Sequence, residues 1–365
     1  MPDMTSRQRI LTALQCQQPD RVPYLESVID EAVALRFLGL PQPAGLSSSE
    51  MSIDTPEEVI AGVALGSPRY DLRELVTALD LDGFGAYFFA KPERIDLEVD
   101  GHTMTAGGKI KTRADLQRIH LPDPDNPALY APLQAFLEEH HASSRALFCL
   151  TNLCSDPVIL GMGFEHFATS LYEDPTLVED LFDLYAEWHA RVAANLSRMD
   201  FDFLWFADDI AFKTQPYVSP KIFRRVFMPR YRRVVEQISK PWIFHSDGNL
   251  LPILDDLLSL GMNGLHPIEP AAMDIAKLKQ HCGGQVCLVG GIDLDLLSRG
   301  TPEQVEECTR HVLAAAAPGG GYIAGSSNSI PYYCQAKNVA AMRSAIAHYG
   351  RYPMSPALKE SSYAE

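Results

Sequence analysis

PWIFHSDGNLLPILDDLLSLGMNGLHPIE, residues 241–269, is the stretch from which the fold is read. An apolar run, Pro241 to Phe244, stops at His245-Ser246-Asp247. A helical stretch follows from Asn249 to Leu260. A second apolar run, Gly261 to His266, then ends in His266 and Glu269. Runs that are apolar throughout, not alternating, predict strands buried on both faces of a parallel sheet. The unit recurs along the chain. Further runs lie at Arg21 to Leu25, Leu81 to Phe88, Ala146 to Leu150, Phe201 to Phe206, Val286 to Val289 and Gly321 to Ala324, which makes eight in all.

Helix starts punctuate the gaps. Asp174-Pro175, Ser219-Pro220 and Thr301-Pro302 each pair a capping side chain with a first-turn proline. Ala271 to Cys282 fills another gap, and Ala336 to His348 follows the last run. Strict alternation of strand and helix predicts an α/β fold, a closed (β/α)8 TIM barrel. A doubly wound open sheet is the competing architecture. The residues before the first strand read as an N-terminal extension. Residues 95–112 read as a hairpin inserted after the second strand, with turns at Asp100-Gly101 and Gly107-Gly108. The expectation is one domain over residues 1–365, with a loose polar tail at 355–365.

Composition narrows the function. The 365 residues carry 31 basic and 47 acidic side chains, a net charge of −16. That balance disfavours nucleic acid or an anionic membrane surface as a partner. No uncharged apolar run comes near the roughly 18 residues of a membrane span. The start of the chain lacks the apolar segment of a secretion signal. Seven cysteines, an odd number, suit reduced thiols and a cytoplasmic location. The sequence is silent on oligomeric state, although homodimers are common at this size.

In such a barrel the active site lies at the C-terminal ends of the strands. The runs end in Glu26, in Thr151-Asn152, in Asp208-Asp209, in His245-Ser246-Asp247, in His266 with Glu269, in Gly290-Gly291 with Asp293, and in Ser326-Ser327-Asn328. His245 and Asp247 are two residues apart, so both could reach one metal ion, and Glu269 could complete the set. Alternatively, His245 is a hydrogen-bonded residue of the barrel mouth and Asp247 caps the helix from Asn249. Asp208 and Asp209 have three readings: paired acid and base, substrate-binding carboxylate, or helix cap. Being adjacent, they point in different directions, so at most one faces the centre. With His245 they are the candidate catalytic groups. Glu26, Asn152, Asp293, Ser327 and Asn328 are candidate substrate-binding groups, and Asp293 equally suits the cap of a short helix from Leu294 to Ser298. Cys149/Cys154 and Cys282/Cys287 are spaced C-x4-C and read as core thiols, with Cys154, just past a strand end, the one to watch.

Thr5 to Arg9 with Gln18 to Pro23, Phe206 to Asp209 with Ser219-Pro220, and His245 to Gly248, together with Gly290 to Asp293, Pro318 to Ile323 and Ser326 to Ile330, resemble the uroporphyrinogen decarboxylase superfamily. The resemblance implies a (β/α)8 barrel. It also implies one of two chemistries: cofactor-free decarboxylation of a tetrapyrrole, or corrinoid-dependent methyl transfer. The decarboxylases carry an Arg-Gln-Ala-Gly-Arg-Tyr segment, and nothing like it follows Pro23. Asn328 stands where they place a histidine. The methyltransferase branch includes zinc proteins with a His-x-Cys pair and a later cysteine. By resemblance His245 matches the histidine, Asp247 replaces the first cysteine, and Ser326 and Ser327 lie near the second. Carboxylate ligands suit activation of an ether or hydroxyl oxygen. The expectation is therefore zinc in this chain, a small methoxylated and aromatic substrate, and cobalamin on a separate corrinoid protein. A metal-independent decarboxylase is the alternative.

Overall fold

The computed structural model describes residues 3–42, 59–99, 102–354 and Leu358. Ten strands are present among them: β1 Val59–Val63, β2 Gly83–Ala90, β3 Arg94–Val99, β4 His102–Gly108, β5 Ala146–Thr151, β6 Phe203–Ala207, β7 Trp242–His245, β8 Gly264–His266, β9 Cys287–Val289 and β10 Tyr322–Ile323. From β2 the main sheet runs β2-β5-β6-β7-β8-β9-β10, and every neighbour pair in that series is parallel.

The first apolar run, Arg21 to Leu25, does not form a named strand. It closes the ring instead. Leu25 N–H donates to Ala324 O at 3.0 Å, Ala324 N–H to Pro23 O at 2.8 Å, and Asp82 N–H to Tyr24 O at 2.8 Å. Pro23 has no N–H to extend a ladder, which keeps this stave short. Strand β1 has no counterpart in the sequence reading. It pairs antiparallel with β2, from Val59 opposite Ala90 to Val63 opposite Ala86. Strands β3 and β4 form a separate two-stranded sheet between β2 and β5. The turn expected at Asp100-Gly101 lies outside the described residues, as does the tail apart from Leu358. Gly107-Gly108 is the end of β4 rather than a turn.

Burial follows the pleat. Phe148, Leu150, Phe203, Trp205, Ile243, Cys287, Val289 and Ile323 point inward and pack as one cluster. Their neighbours Leu147, Cys149, Leu204, Phe206, Phe244 and Leu288 pack outward against the helices. This two-sided burial is why the runs lack alternation. The N-terminal extension folds as helix Ser6–Leu14, opened by a Thr5/Gln8 capping box. Its Ile10, Ala13 and Leu14 join the inward cluster and plug the N-terminal end of the barrel. Helix Pro175–Arg198 is capped by Asp174, and helix Pro302–Ala316 by a Thr301/Gln304 capping box.

Candidate metal and catalytic site

Register builds the site. Ala207 pairs with His245, and His245 pairs with His266, so β6, β7 and β8 end on one tier. That tier rests on the inward core, where His266 meets Trp205 edge-on at 4.8 Å. Two residues beyond Ala207 and His245, Asp209 and Asp247 turn to the same side as His245. His245 Nε2 stands 3.6 Å from Asp209 Oδ1 and 3.7 Å from Asp247 Oδ1. One donor atom from each of Asp209, His245 and Asp247 lies within 4.8 Å of the others.

The donors are held from behind. His245 Nδ1 and His266 Nδ1 are 2.7 Å apart, so one ring donates and the other accepts. His266 is 3% exposed, and burial pushes its pKa far down, with His245 adding to the shift. A neutral His266 accepting at Nδ1 lets His245 donate from Nδ1 and turns its Nε2 toward the carboxylates. Asp247 N–H donates to Asp209 Oδ1 at 2.9 Å, and Asn328 Nδ2 donates to Asp247 Oδ2 at 2.7 Å. Asp247 Oδ1 is shut off from solvent and accepts no hydrogen bond. Burial, followed by the nearby Asp209 and Glu269, raises Asp247 to about 6 despite the opposing pull of His245. An unsatisfied buried carboxylate oxygen is costly unless a cation takes it. One imidazole and two carboxylates form a donor set that zinc accepts.

Behind Asp209 lies a third carboxyl that the sequence reading missed. Asp156 Oδ1 accepts from Asp209 N–H at 2.9 Å, and Asn152 Nδ2 lies 3.4 Å from Asp156 Oδ2. Asn152 also donates to Ala207 O. Asp208 points away from the cluster. Its carboxylate accepts from the N–H groups of Cys154, Ser155 and Asp156 at 2.8, 2.8 and 3.1 Å, at the start of helix Ser155–Met162. Burial pushes Asp156 and Asp208 both upward. Three amides and a helix N-terminus oppose this shift at Asp208.

Comparison with known proteins places the fold. The family model for uroporphyrinogen decarboxylase (URO-D) matches residues 158–349. The chain belongs to the uroporphyrinogen decarboxylase family. Within similar proteins, a methylated-thiol–coenzyme M methyltransferase of Methanosarcina mazei is 25% identical over 183 residues, 49% of this chain and 47% of that protein. The chain thus spans about half the length of the curated relative it matches. A solved methyltransferase structure from Methanosarcina mazei superposes at a TM-score of 0.69 with 18% identity, covering 95% of this chain and 99% of the other. It supports the barrel fold of the uroporphyrinogen decarboxylase family.

The structure redistributes the residues proposed from sequence. His245 and Asp247 come together as expected, but the third member is Asp209, not Glu269. Glu269 Oε2 instead accepts from Gly248 N–H at 2.7 Å and steadies the loop that carries Asp247. Asp208 is a structural acceptor, since its oxygens are taken by backbone amides. Asp293 caps helix Leu294–Arg299 through Asp295 N–H, and Ser327 Oγ accepts from Leu294 N–H at 3.0 Å, so both serve that helix. Glu26 is 1% exposed and accepts from Ser326 N–H and Oγ; burial pushes it up to about 7. Asn328 reaches the cluster and holds Asp247, while Asn152 reaches only Asp156 behind it. Cys154 is wholly buried, and burial beside Asp208 lifts its thiol far above the usual range, which makes it a core residue.

Proposed function

We propose that this chain is a corrinoid-dependent methyltransferase. In this reading it takes a methyl group from a small methoxylated, aromatic substrate and delivers it to cobalt on a separate corrinoid protein. The observation that carries the reading is the Asp209–His245–Asp247 donor set with its unsatisfied Oδ1. Membership of the uroporphyrinogen decarboxylase family and similarity to a methyltransferase support it. Seven free cysteines suit a cytoplasmic enzyme.

The metal held by these three residues, zinc in this proposal, would supply Lewis-acid polarisation of the substrate oxygen. Demethylation of an ether breaks the C–O bond with both electrons left on oxygen, while the carbon accepts a pair from the reduced cobalt of the partner. The departing oxygen then needs a proton or a positive neighbour. Asp156, whose carboxyl is pushed well up by burial and the neighbouring Asp208 and Asp209, is the group beside the cluster that favours its protonated form. His266 and Asn328 keep His245 and Asp247 aimed, so little reorganisation remains to be done during the reaction.

A metal-independent decarboxylase acting on a polyanion finds less support here. The charged groups acting on Asp247 are His245, Asp209 and Glu269, and those acting on Asp156 are Asp208, Asp209 and Asp247. Such surroundings repel added carboxylates. The test is metal content of untagged protein beside His245→Ala, followed by methyl transfer from aryl methyl ethers to cob(I)alamin. About one zinc per chain, lost with His245, is the expected result. Full turnover in chelator would overturn the metal role.

A further inference from the structure

Three aromatic side chains stand together at the rim of this site: Tyr217, which packs against the core, and two phenylalanines that the core leaves exposed. Phe164 is 40% exposed and Phe212 is 45% exposed, although large apolar side chains usually bury. With Tyr217 they make a closed set of edge-on contacts: Phe164–Phe212 at 5.2 Å, Phe164–Tyr217 at 5.0 Å and Phe212–Tyr217 at 4.6 Å. Phe212 and Tyr217 sit on a flap after β6. Tyr217 N–H donates to Ile210 O and Phe212 N–H to Gln215 O, each at 2.8 Å. Phe164 starts helix Phe164–Glu173, just after Gly163 at φ +75°.

The flap is bound directly to the loop that carries Asp247. Asn249 N–H donates to Phe212 O at 2.8 Å. Gly248, at φ +91°, comes so close that a Cβ would lie 2.6 Å from the carbonyl oxygens of Ala211 and Phe212. Tyr217 also feels the cluster. Burial and the charges of Asp209, Asp156 and Asp247 together push its hydroxyl up to about 12. The rings therefore sit beside the donor set and are fixed to it through the backbone. Exposed aromatic faces next to a few convergent polar groups are the usual make-up of a small-molecule subsite.

We propose that Phe164, Phe212 and Tyr217 form the subsite for the aromatic ring of the methyl donor, and that this ring carries no carboxylate. The inference rests on the methyl-transfer reading for the word donor, but not for the ring. An oxygen lone pair must reach the donor set, which a quaternary ammonium lacks, so a neutral aryl ether fits better than a cation held by cation–π contact. The charges around the cluster are acidic, as noted above. The basic residue of the flap, Lys213, is exposed and acts on Asp295. A benzoate would therefore meet repulsion where a phenol ether would not.

The test measures binding of 2-methoxyphenol, 4-methoxybenzoate and 2-methoxyethanol to the full chain by calorimetry, for the parent, Phe212→Ala and Phe212→Leu. Phe212 is exposed, so neither variant threatens folding. The parent should prefer 2-methoxyphenol. Both variants should weaken it about tenfold, the scale of one lost aromatic contact with its burial, and leave 2-methoxyethanol unchanged. Unaltered 2-methoxyphenol binding in both variants overturns the subsite, as does failure of the parent to bind it. Equal affinity of the parent for 4-methoxybenzoate overturns the neutral ring. If the variants lose the phenol ether but the parent moves no methyl group to cob(I)alamin, the donor reading falls and the ring subsite stands.

Discussion

Asp247→Asn separates a site built for a cation from a cluster of ordinary acids. Burial raises Asp247 to about 6, roughly two units above an unperturbed aspartate. At about 1.4 kcal/mol per unit, ionising it costs the metal-free fold about 3 kcal/mol. The side chain is 33% exposed, and solvent screening reduces that to about 1–2 kcal/mol. Asparagine has the same shape without the charge. In chelator near pH 8 the variant should therefore be more stable than the parent, by a few degrees in Tm. The advantage exists where folded Asp247 is ionised, above about 6. It fades as pH falls toward the unfolded value near 4, where both side chains are neutral in both states. Zinc reverses the order. Asn328 Nδ2 already donates to Oδ2, so an asparagine at 247 must either turn its NH2 into the donor set or set it against the NH2 of Asn328. Zinc affinity should drop by at least about 100-fold, the upper end of what loss of a supporting partner costs. Thermal melts in chelator at two pH values, with zinc titrated against a chromophoric chelator, read both effects. A variant less stable than the parent at high pH, or one with unchanged zinc affinity, would refute the reasoning.

His266→Leu should weaken zinc by about 10–100-fold, because His245 loses the acceptor that sets its tautomer; the same competition titration reads it. Asp208→Asn should destabilise the fold by about 2–3 kcal/mol through weakened bonds to three amides, while zinc affinity changes little; chemical denaturation and the titration separate the two. Glu26 titrates near 7 when folded, so it draws stability away as pH rises from the ordinary glutamate value through 7. Glu26→Gln, whose oxygen can still accept from Ser326, should flatten that slope in a pH series of melts.

How far the site was legible depended on distance along the chain. His245 and Asp247 share a strand end, so the two-residue period puts them on one side before any fold is known. The choice between Asp209 and Glu269 could not be made that way, because it depends on where β6 and β8 stop relative to β7. Asp156 escaped notice for a related reason. It lies five residues past the end of the Ala146–Thr151 strand, in a helix start, and reaches the cluster only because Asp208 anchors that start. His266 was visible as a strand end, but its partner is set by the pairing of β7 with β8. The aromatic trio joins a helix start to a flap some fifty residues later, and no local pattern links them.

By itself the sequence determined the strand and helix alternation, the two-sided burial of the strands and the end of the barrel at which polar groups gather. These follow from local periodicity and capping, which act over a few residues. Tertiary structure alone decided which of two neighbouring aspartates faces the centre. It also decided that the first apolar run closes the ring as a short stave. Each of those depends on register, burial and the competition of backbone amides for carboxylate oxygens, quantities that come into being only when distant segments pack.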